Sequence, residues 1–259
     1  MAKRGLKIGR ASASGAPRRV VAGFTLIDVL VSITVIGVLI GLLLPSLSMI
    51  HEMTRRTVCR SNVRQIGLGL AMYADQERGF LPPSVFKPEG PGRAPAEPHE
   101  MLRLRLSRDM ANAKNATSRW DGLGRLHDGG FLLGPKVFYC PSHRGDHHLR
   151  DYARRWGDTD ITELFGNFQF RGSGPNNQRQ LYNIEPSKTA LVSDGMRTLR
   201  DFNHTIGANV LRADMSSEWV QDDTGAISRL LQSESDSPNS PQDIELTWRL
   251  FDLYLGEAR

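Results

Sequence analysis

The sequence predicts an α+β protein in which a long N-terminal helix leads into a globular head with an antiparallel sheet. Three observations predict this class. Residues 24–44 form an apolar run of 21 residues whose only charge is Asp28. Residues 46–79 continue with apolar positions at helical spacing. Residues 136–221 contain short β-prone runs bounded by turn residues, and most of the intervals between them are too short for a crossover helix.

The composition is that of a chain with one medium-sized core and appendages. With 39% hydrophobic residues, 25 glycines and 2 cysteines in 259 residues, the sequence is neither disordered, nor collagen-like, nor a disulfide scaffold. The formal charge of +5 comes from residues 1–23, which hold six basic residues and no acid. Removing those six charges leaves −1 for the rest of the chain, so we expect no nucleic-acid partner. Several arginines alternate with acids and are expected on a solvated face, namely Arg103, Arg105, Arg108, Arg154 and Arg155.

The apolar run is long enough to cross a bilayer once. At ~1.5 Å per residue, a 21-residue helix spans the ~30 Å hydrocarbon core. A secretory signal peptide has a shorter apolar region followed by small residues, whereas this run ends in Leu44-Pro45. We therefore predict a retained transmembrane helix over residues 24–45, and regard a buried core helix as the alternative. The basic residues 1–23 favour a cytoplasmic leader, with the rest of the chain beyond the cytoplasmic membrane.

A carboxylate near the start of this span needs an explanation, because an ionisable group inside a membrane costs several kcal/mol unless it has a partner. The sequence GFTLID at positions 23–28 resembles the cleavage and methylation motif of type IV prepilins and type II secretion pseudopilins. Counting Phe24 as the first residue, Asp28 is fifth and Pro45 is twenty-second, where that family carries an acid and often a proline. The usual acid is Glu, so Asp28 keeps the charge and loses the reach of one methylene.

The resemblance implies a role as a structural subunit without catalytic residues or cofactors. A prepilin peptidase would cut after Gly23, and Phe24 would become the N-methylated first residue. Its new ammonium group would pair with Asp28 of a neighbouring pilin-like or pseudopilin subunit, because burying either charge alone is costly. An alternative for Asp28 is an interfacial residue that reaches the lipid head groups.

Further residues of the predicted helix suggest packing and bending. Gly37 and Gly41 form a G-x-x-x-G pair that would let another helix approach, although small residues are common in such segments. Pro45 is expected to kink or loosen the helix near the membrane exit. Residues 46–79 are predicted to form an amphipathic helix that ends near Gly79. One apolar stripe should face the head, formed by Cys59, Val63, Ile66, Leu70 and Tyr73.

Residues 80–259 are predicted to form the extracytoplasmic head. Six of the 14 prolines fall between positions 82 and 98, which indicates a loop. A short helix is expected over residues 97–111, and a last helix over about 242–255, preceded by a capping-box pattern. The predicted strands are Lys136–Cys140, Asn167–Arg171, Thr189–Ser193, Ala208–Ala213 and Glu218–Gln221.

The head also resembles a group of pseudopilin-like proteins. The carrying segments are CRSNVRQIGLGLAMYADQERGFLPPS, FYCPSH, ALVSD and HTIGANVLRADMSSEWV, and the group has a terminal signature of His, nine residues and Asp-Gly. Here His204 and Asp214 have that spacing. Met215 replaces the expected Gly, so a tight turn that needs a positive φ is expected to be relaxed.

Three sets of residues could carry chemistry in the head. His204 with Asp194 and Asp214 could act in acid/base catalysis, or with Ser193 as a nucleophile set, but hydrogen bonds that fix a loop are the plainer explanation. His143 and His147 have metal-pair spacing. No second cluster supplies further ligands, so we expect no metal there.

The two cysteines, Cys59 and Cys140, would both lie outside the cytoplasm, where disulfides persist. They form either a disulfide or two buried thiols. The leading hypothesis remains a structural pilin-like subunit of a type II secretion or type IV pilus-like system. The alternative is a membrane-anchored enzyme or binding module that uses the N-terminal signal only for export.

Overall fold

The structure is a computed structural model that describes residues 23–87, 96–157, 163–204, 206–233 and 237–257. The chain divides into two compact units, Met1–Ser48 and Met49–Arg259. Apart from Gly23, the predicted leader lies outside the described residues, as do residues 88–95 of the predicted proline-rich loop.

Helix α1 extends over Leu26–Gln76 and contributes residues to both units. Within the described residues it is a helix long and apolar enough to cross a membrane, judged by length and composition. The helix is continuous through position 45, where the sequence predicts a kink or loosening. The prediction of one long N-terminal helix is confirmed.

In the second unit, α1 supplies one wall of the core. Of the predicted stripe, Cys59, Val63, Ile66 and Leu70 are fully buried, and Tyr73 is half-buried. The opposite faces of the helix are exposed. Gly67 allows a close approach, since a Cβ there would lie 2.6 Å from Cδ1 of Leu211.

The end of α1 agrees with the prediction of a stop near Gly79. The helix ends at Gln76, and Arg78 and Gly79 adopt φ of 55° and 87°. The amide of Gly79 donates to the carbonyl oxygen of Ala74 at 2.6 Å. A left-handed residue of this kind satisfies the last free carbonyls of a helix.

The main sheet has four antiparallel strands, which lie side by side in the order of the sequence. The antiparallel arrangement and four of the five predicted strands are confirmed, with ends shifted by at most one residue. The strands are β3 (Phe168–Phe170), β4 (Ala190–Asp194), β5 (Gly207–Arg212) and β6 (Ser217–Gln221). A hairpin joins β5 and β6, where Asn209 pairs with Trp219.

The sheet lies between α1 and the last helix, α6 (Pro241–Glu257). Residues alternate along β5: Leu211 packs in the cluster with α1, whereas Ala208 and Val210 pack in the cluster with α6. The predicted inward face of α6 is buried in full, namely Ile244, Trp248, Phe251 and Leu255. Ser240 caps the helix, since the amide of Asp243 donates to its hydroxyl at 3.2 Å.

The predicted helix over residues 97–111 is wrong. A 3-10 turn (Pro98–Glu100) leads into strand β1 (Arg103–Arg105) and then into a short helix α2 (Arg108–Ala113). Strand β1 pairs with β2 (Leu164–Phe165) in a separate two-stranded sheet. Alternating Leu and Arg between positions 102 and 106 fit the period of a strand better than that of a helix.

The prediction that the five arginines lie on a solvated face is also wrong in part. Arg103 and Arg105 are buried, while Arg108, Arg154 and Arg155 are exposed. Arg103 pairs with Glu100 and Glu163, so its charge is compensated inside the structure.

The predicted strand Lys136–Cys140 is a 3-10 turn instead, over Pro135–Phe138. Pro135 stands at the first turn, where its fixed φ suits a helix and its missing N–H costs nothing. Residues 82–87 lack helix and strand, as predicted for the described part of the loop. The remaining short helices are α3 (Gly124–Asp128), α4 (Leu149–Tyr152) and α5 (Ala226–Leu230).

Candidate functional site

The predicted cleavage segment lies immediately before α1. Gly23 and Phe24 are exposed, and the helix begins at Leu26. Thr25 and Asp28 form a reciprocal capping pair at this end. The amide and hydroxyl of Thr25 donate to Oδ2 of Asp28 at 3.0 and 2.7 Å, and the amide of Asp28 donates to Oγ1 of Thr25 at 3.2 Å. This local role of Asp28 was not predicted, although T-x-x-D before an apolar run is its signature.

The apolar part of α1 has an uncovered surface. Between positions 24 and 44 the large apolar side chains are from 50% exposed at Ile40 to 88% exposed at Phe24. The hydroxyl groups of Ser32 and Thr34 donate to carbonyl oxygens one turn earlier, at 2.6 and 2.8 Å. These bonds satisfy the polar groups of the span within the helix itself, as an apolar environment requires.

Gly37 and Gly41, the predicted helix-packing pair, leave open space on this surface. A Cβ placed at either position would meet no atom within 4 Å. These positions therefore have room for a second helix, and no residue that the structure describes in the first unit fills it.

In the second unit, four side chains with metal-binding atoms converge in the interior. Their ligand atoms all lie within 4.8 Å of one another, and each residue is at most 4% exposed. They come from four separate segments: α1, the chain after the 3-10 turn at 135–138, the end of β4 and the loop before β5. The buried cluster consists of Cys59, Cys140, Asp194 and His204.

Contacts inside the buried cluster join each cysteine to a different partner. Sγ of Cys59 donates to Oδ1 of Asp194 at 3.4 Å, and Sγ of Cys140 lies 3.5 Å from Nε2 of His204. Both cysteines are free thiols. The structure thus brings together the two residues of the suggested disulfide without an S–S bond between them.

Asparagines and backbone amides hold the acid and one thiol in place. The side-chain amide of Asn203 donates to Oδ1 of Asp194 at 2.9 Å, and the backbone amide of Asn209 donates to Oδ2 at 3.1 Å. The side chain of Asn167 accepts from the amide of Cys140 at 3.2 Å. These bonds satisfy the polar groups that burial would otherwise leave without partners.

His204 is positioned by a carboxylate on its other ring nitrogen. Nδ1 of His204 lies 2.7 Å from Oε1 of Glu52, and Ser142 donates to Oε2 of Glu52 at 3.0 Å. Glu52 and Cys59 are seven residues apart on α1, which places them on the same face of the helix. Glu52 therefore fixes the orientation of the ring and directs Nε2 toward the thiols.

Burial and neighbouring charges shift the pKa values of all four groups. Burial raises the pKa of Asp194, although His204, Asn203 and Asn209 oppose it. Burial together with Cys140 and Asp194 holds the pKa of the Cys59 thiol well above its usual range.

The other two groups shift toward their charged forms. Burial opposes ionisation of Cys140, but hydrogen bonds from Cys59 and His204 outweigh it and lower the pKa of this thiol. Burial likewise disfavours the imidazolium, but Cys140, the Asp194 charge and Glu52 together raise the pKa of His204 to about 9. The thiol with the lowered pKa, Cys140, thus lies beside the imidazole with the raised pKa, His204.

The structure separates the two residues of the His and Asp signature. His204 precedes β5 and is buried, whereas Asp214 follows β5, is exposed, and accepts from the amide of Ser216 at 2.8 Å. Met215 has a φ of 64°, so the turn keeps the left-handed conformation despite the missing Gly, and the predicted relaxation is wrong. The acid that joins His204 is Asp194, one of the two candidates.

The other predicted groups have partners of their own. The hydroxyl of Ser193 is buried and donates to the carbonyl oxygen of Asp194 at 2.8 Å. His143 lies on no helix, and its Nδ1 is 2.7 Å from Oδ1 of Asn203. Nδ1 of His147 lies 2.9 Å from the hydroxyl oxygen of Tyr152. His143 and His147 thus engage different neighbours and do not form a metal pair.

A surface cleft of about 490 Å³ reaches the buried cluster at Cys140. Its walls include Val58, Tyr139, Pro141 and Asn167. Cys140 is the member of the buried cluster that lines this cleft.

Comparisons of the chain with models of protein families, with curated proteins and with solved structures give no match.

Proposed function

We propose that this chain is a structural subunit of the pilin or pseudopilin type, anchored in a membrane by the N-terminal part of α1. The observation that carries the proposal is the juxtaposition of Gly23-Phe24 with an uncovered apolar helix that has a carboxylate in its first turn. A soluble protein would bury such a surface, because leaving it in water costs about 25 cal/mol per Å². A bilayer, or a bundle of similar helices, covers it.

Asp28 is the group through which subunits would recognise each other. In the isolated chain it caps its own helix, so its position and orientation at the helix end are already fixed. Cleavage after Gly23 would create an ammonium group on Phe24. Pairing between this group and Asp28 of a neighbour would neutralise two charges in an apolar setting and favour one axial stagger between subunits.

The proposed partners follow from the same segment. They are a prepilin peptidase, other pilin-like or pseudopilin subunits and the lipid bilayer. The basic residues 1–23 support a cytoplasmic N-terminus and a second unit on the far side of the cytoplasmic membrane. We propose no catalytic role for His204 or Ser193, since both side chains are buried.

Intact mass and N-terminal sequencing of the membrane-extracted protein from its native host test the proposal. We expect an N-terminus at N-methylated Phe24. An uncut chain that starts at Met1 would contradict processing and leave only a signal-anchored protein, the alternative considered from the sequence.

Copurification with neighbouring subunits tests the role of the carboxylate. Asp28→Ala removes both the charge and the helix cap, so it is expected to abolish copurification. Thr25→Ala is the matched control, because it breaks the same capping pair and keeps the carboxylate. If both variants lose assembly equally, the cap and not the charge is responsible.

A further inference from the structure

We propose that the buried cluster of Cys59, Cys140, Asp194 and His204 is a structural binding site for one Zn²⁺ ion. The inference concerns residues 49–259 alone and does not depend on whether the chain assembles as a pilin.

The donor atoms select the class of metal. Two sulfurs, one imidazole nitrogen and one carboxylate oxygen are the ligand types that Zn²⁺ uses in proteins. Calcium and magnesium prefer sites made of oxygen ligands, so a set with two cysteines disfavours them.

The geometry is close to that of a tetrahedral site. Bonds of about 2.0 to 2.3 Å to a central Zn²⁺ place neighbouring ligand atoms about 3.5 Å apart. The Cys59–Asp194 and Cys140–His204 contacts already measure 3.4 and 3.5 Å. The remaining pairs lie within 4.8 Å, so closing the site requires side-chain shifts of about 1 Å.

The surroundings supply the outer shell that such sites have. A histidine that binds a metal usually donates its other N–H to a carboxylate or carbonyl group, and Glu52 lies 2.7 Å from Nδ1 of His204. Asn203 and Asn209 fix the carboxylate of Asp194 in a similar way.

Binding of Zn²⁺ releases the proton of each thiol and any proton on Nε2 of His204. The ion then offsets two of the three negative charges carried by two thiolates and the Asp194 carboxylate. Four protein ligands in a buried site leave no coordination position for a substrate, so the ion would stabilise the fold rather than catalyse a reaction.

The position of the site explains why its ligands come from four segments. It connects α1 to the end of β4 and to the loops before the sheet strands, where the described residues contain no disulfide. A metal at this point would tie the buried face of α1 to the sheet. Of the four ligands, Cys140 also lines the surface cleft.

Metal analysis of the full-length, detergent-extracted protein, purified without chelator and then incubated with Zn²⁺, tests the site. We expect one tightly held Zn²⁺ per chain. Replacement by Co²⁺ should give the thiolate-to-cobalt charge-transfer absorption of a site with cysteine ligands. Asp194→Asn and His204→Gln should each lower Zn²⁺ affinity by at least about tenfold, and Glu52→Gln by about 10- to 100-fold.

His147→Gln is the matched control, because His147 is a buried histidine of the same unit outside the buried cluster. It is expected to keep the full metal content. Should the ligand variants fail to fold, the wild-type chain still decides the question through its metal content and its thiol count in denaturant without reductant.

Two results on the wild-type chain would overturn the proposal. Absence of metal with no reactive thiols would show a Cys59–Cys140 disulfide instead. Absence of metal and of cobalt absorption with two reactive thiols would show a hydrogen-bonded thiol cluster. A chain cut after Gly23 that binds no metal refutes the site alone, and an uncut chain that binds Zn²⁺ refutes only the proposed function.

Discussion

Asp28 and Asp194 are two carboxylates in apolar parts of the chain, and they differ in burial and in the origin of their hydrogen-bond donors. Asp28 is exposed at the start of α1, and among the described residues its carboxylate accepts hydrogen bonds only from Thr25, three residues away. Asp194 is fully buried and is held by groups from α1, β5 and the preceding loop. The carboxylate of Asp28 can therefore accept further bonds from another molecule, whereas the carboxylate of Asp194 is already bound by groups of its own chain.

The largest expected effect follows from removing the carboxylate of Asp194. Asp194→Ala leaves the donors of Asn203 and Asn209 buried without an acceptor, and each such group costs about 1–3 kcal/mol. We expect the second unit to lose about 3 kcal/mol or more of unfolding free energy, measured by denaturant titration of the full chain in detergent. Asp28→Ala should change the same value by less than about 0.5 kcal/mol. Equal losses would remove the contrast between the two acids.

Two leucines of α1 extend the comparison to apolar side chains. Leu70 is fully buried and Leu39 is 54% exposed. Leu70→Ala creates a cavity and should destabilise the second unit by about 2–5 kcal/mol, whereas Leu39→Ala should leave it within about 0.5 kcal/mol. The same titration checks both variants, and a large effect at Leu39 would show that its side chain is covered within the chain.

Acid should weaken the second unit through His147. Burial, with Arg197 and further cationic neighbours, lowers the pKa of His147 to about 3. The unfolded chain, with an ordinary pKa of about 6.5, therefore binds one more proton between these values, and stability falls as the pH drops through this range. From pH 7 to pH 5 the expected loss is about 2 kcal/mol.

His147→Gln should remove this part of the pH dependence. Val63→Ala is a suitable control, because it weakens the same core without a titrating group and should lower stability equally at both pH values. A wild-type pH profile identical to that of His147→Gln would show that the histidine is protonated in the folded chain.

The smallest expected effect concerns two glycines of α1. Gly67→Ala gains about 1 kcal/mol of helix propensity but forces a methyl group against the buried Leu211, at a cost of about 1–3 kcal/mol. We expect a net loss of about 1 kcal/mol in the second unit.

Gly37→Ala meets open space and should leave that stability unchanged. It is expected instead to weaken copurification with neighbouring subunits, if Gly37 and Gly41 form a packing face. Unaltered assembly of this variant would refute that face.

Much of the fold could be predicted because its elements carry local signals. The apolar stripe from Cys59 to Leu70 and the alternation in β5 each reflect one face turned to the core. The segment at 97–111 was mispredicted because buried Arg103 and Arg105 read as polar positions, and only their acidic and aromatic partners in the fold make burial tolerable.

The two candidate sites also differ in whether local sequence signals mark them. The N-terminal segment is contiguous, so the sequence alone was enough to propose Gly23, Phe24 and Asp28 as candidates. The buried cluster joins residues as distant as Cys59 and His204, and sequence spacing says nothing about such distances. The available signal was the presence of two cysteines, His204 and Asp194 as potential ligands of one site. The local spacing of His143 and His147 favoured a different pair.

The position of α6 in the chain has a consequence for the order of events during synthesis. This helix covers one face of the four-stranded sheet, and it follows every strand in the sequence. That face, with Ala208, Val210 and Val220, therefore stays open to solvent until residues 241–257 have been made. Until then a nascent chain presents an apolar sheet surface of the kind that aggregates. Folding of the second unit is therefore complete only when its last helix covers this face, and contact with other chains before then favours aggregation.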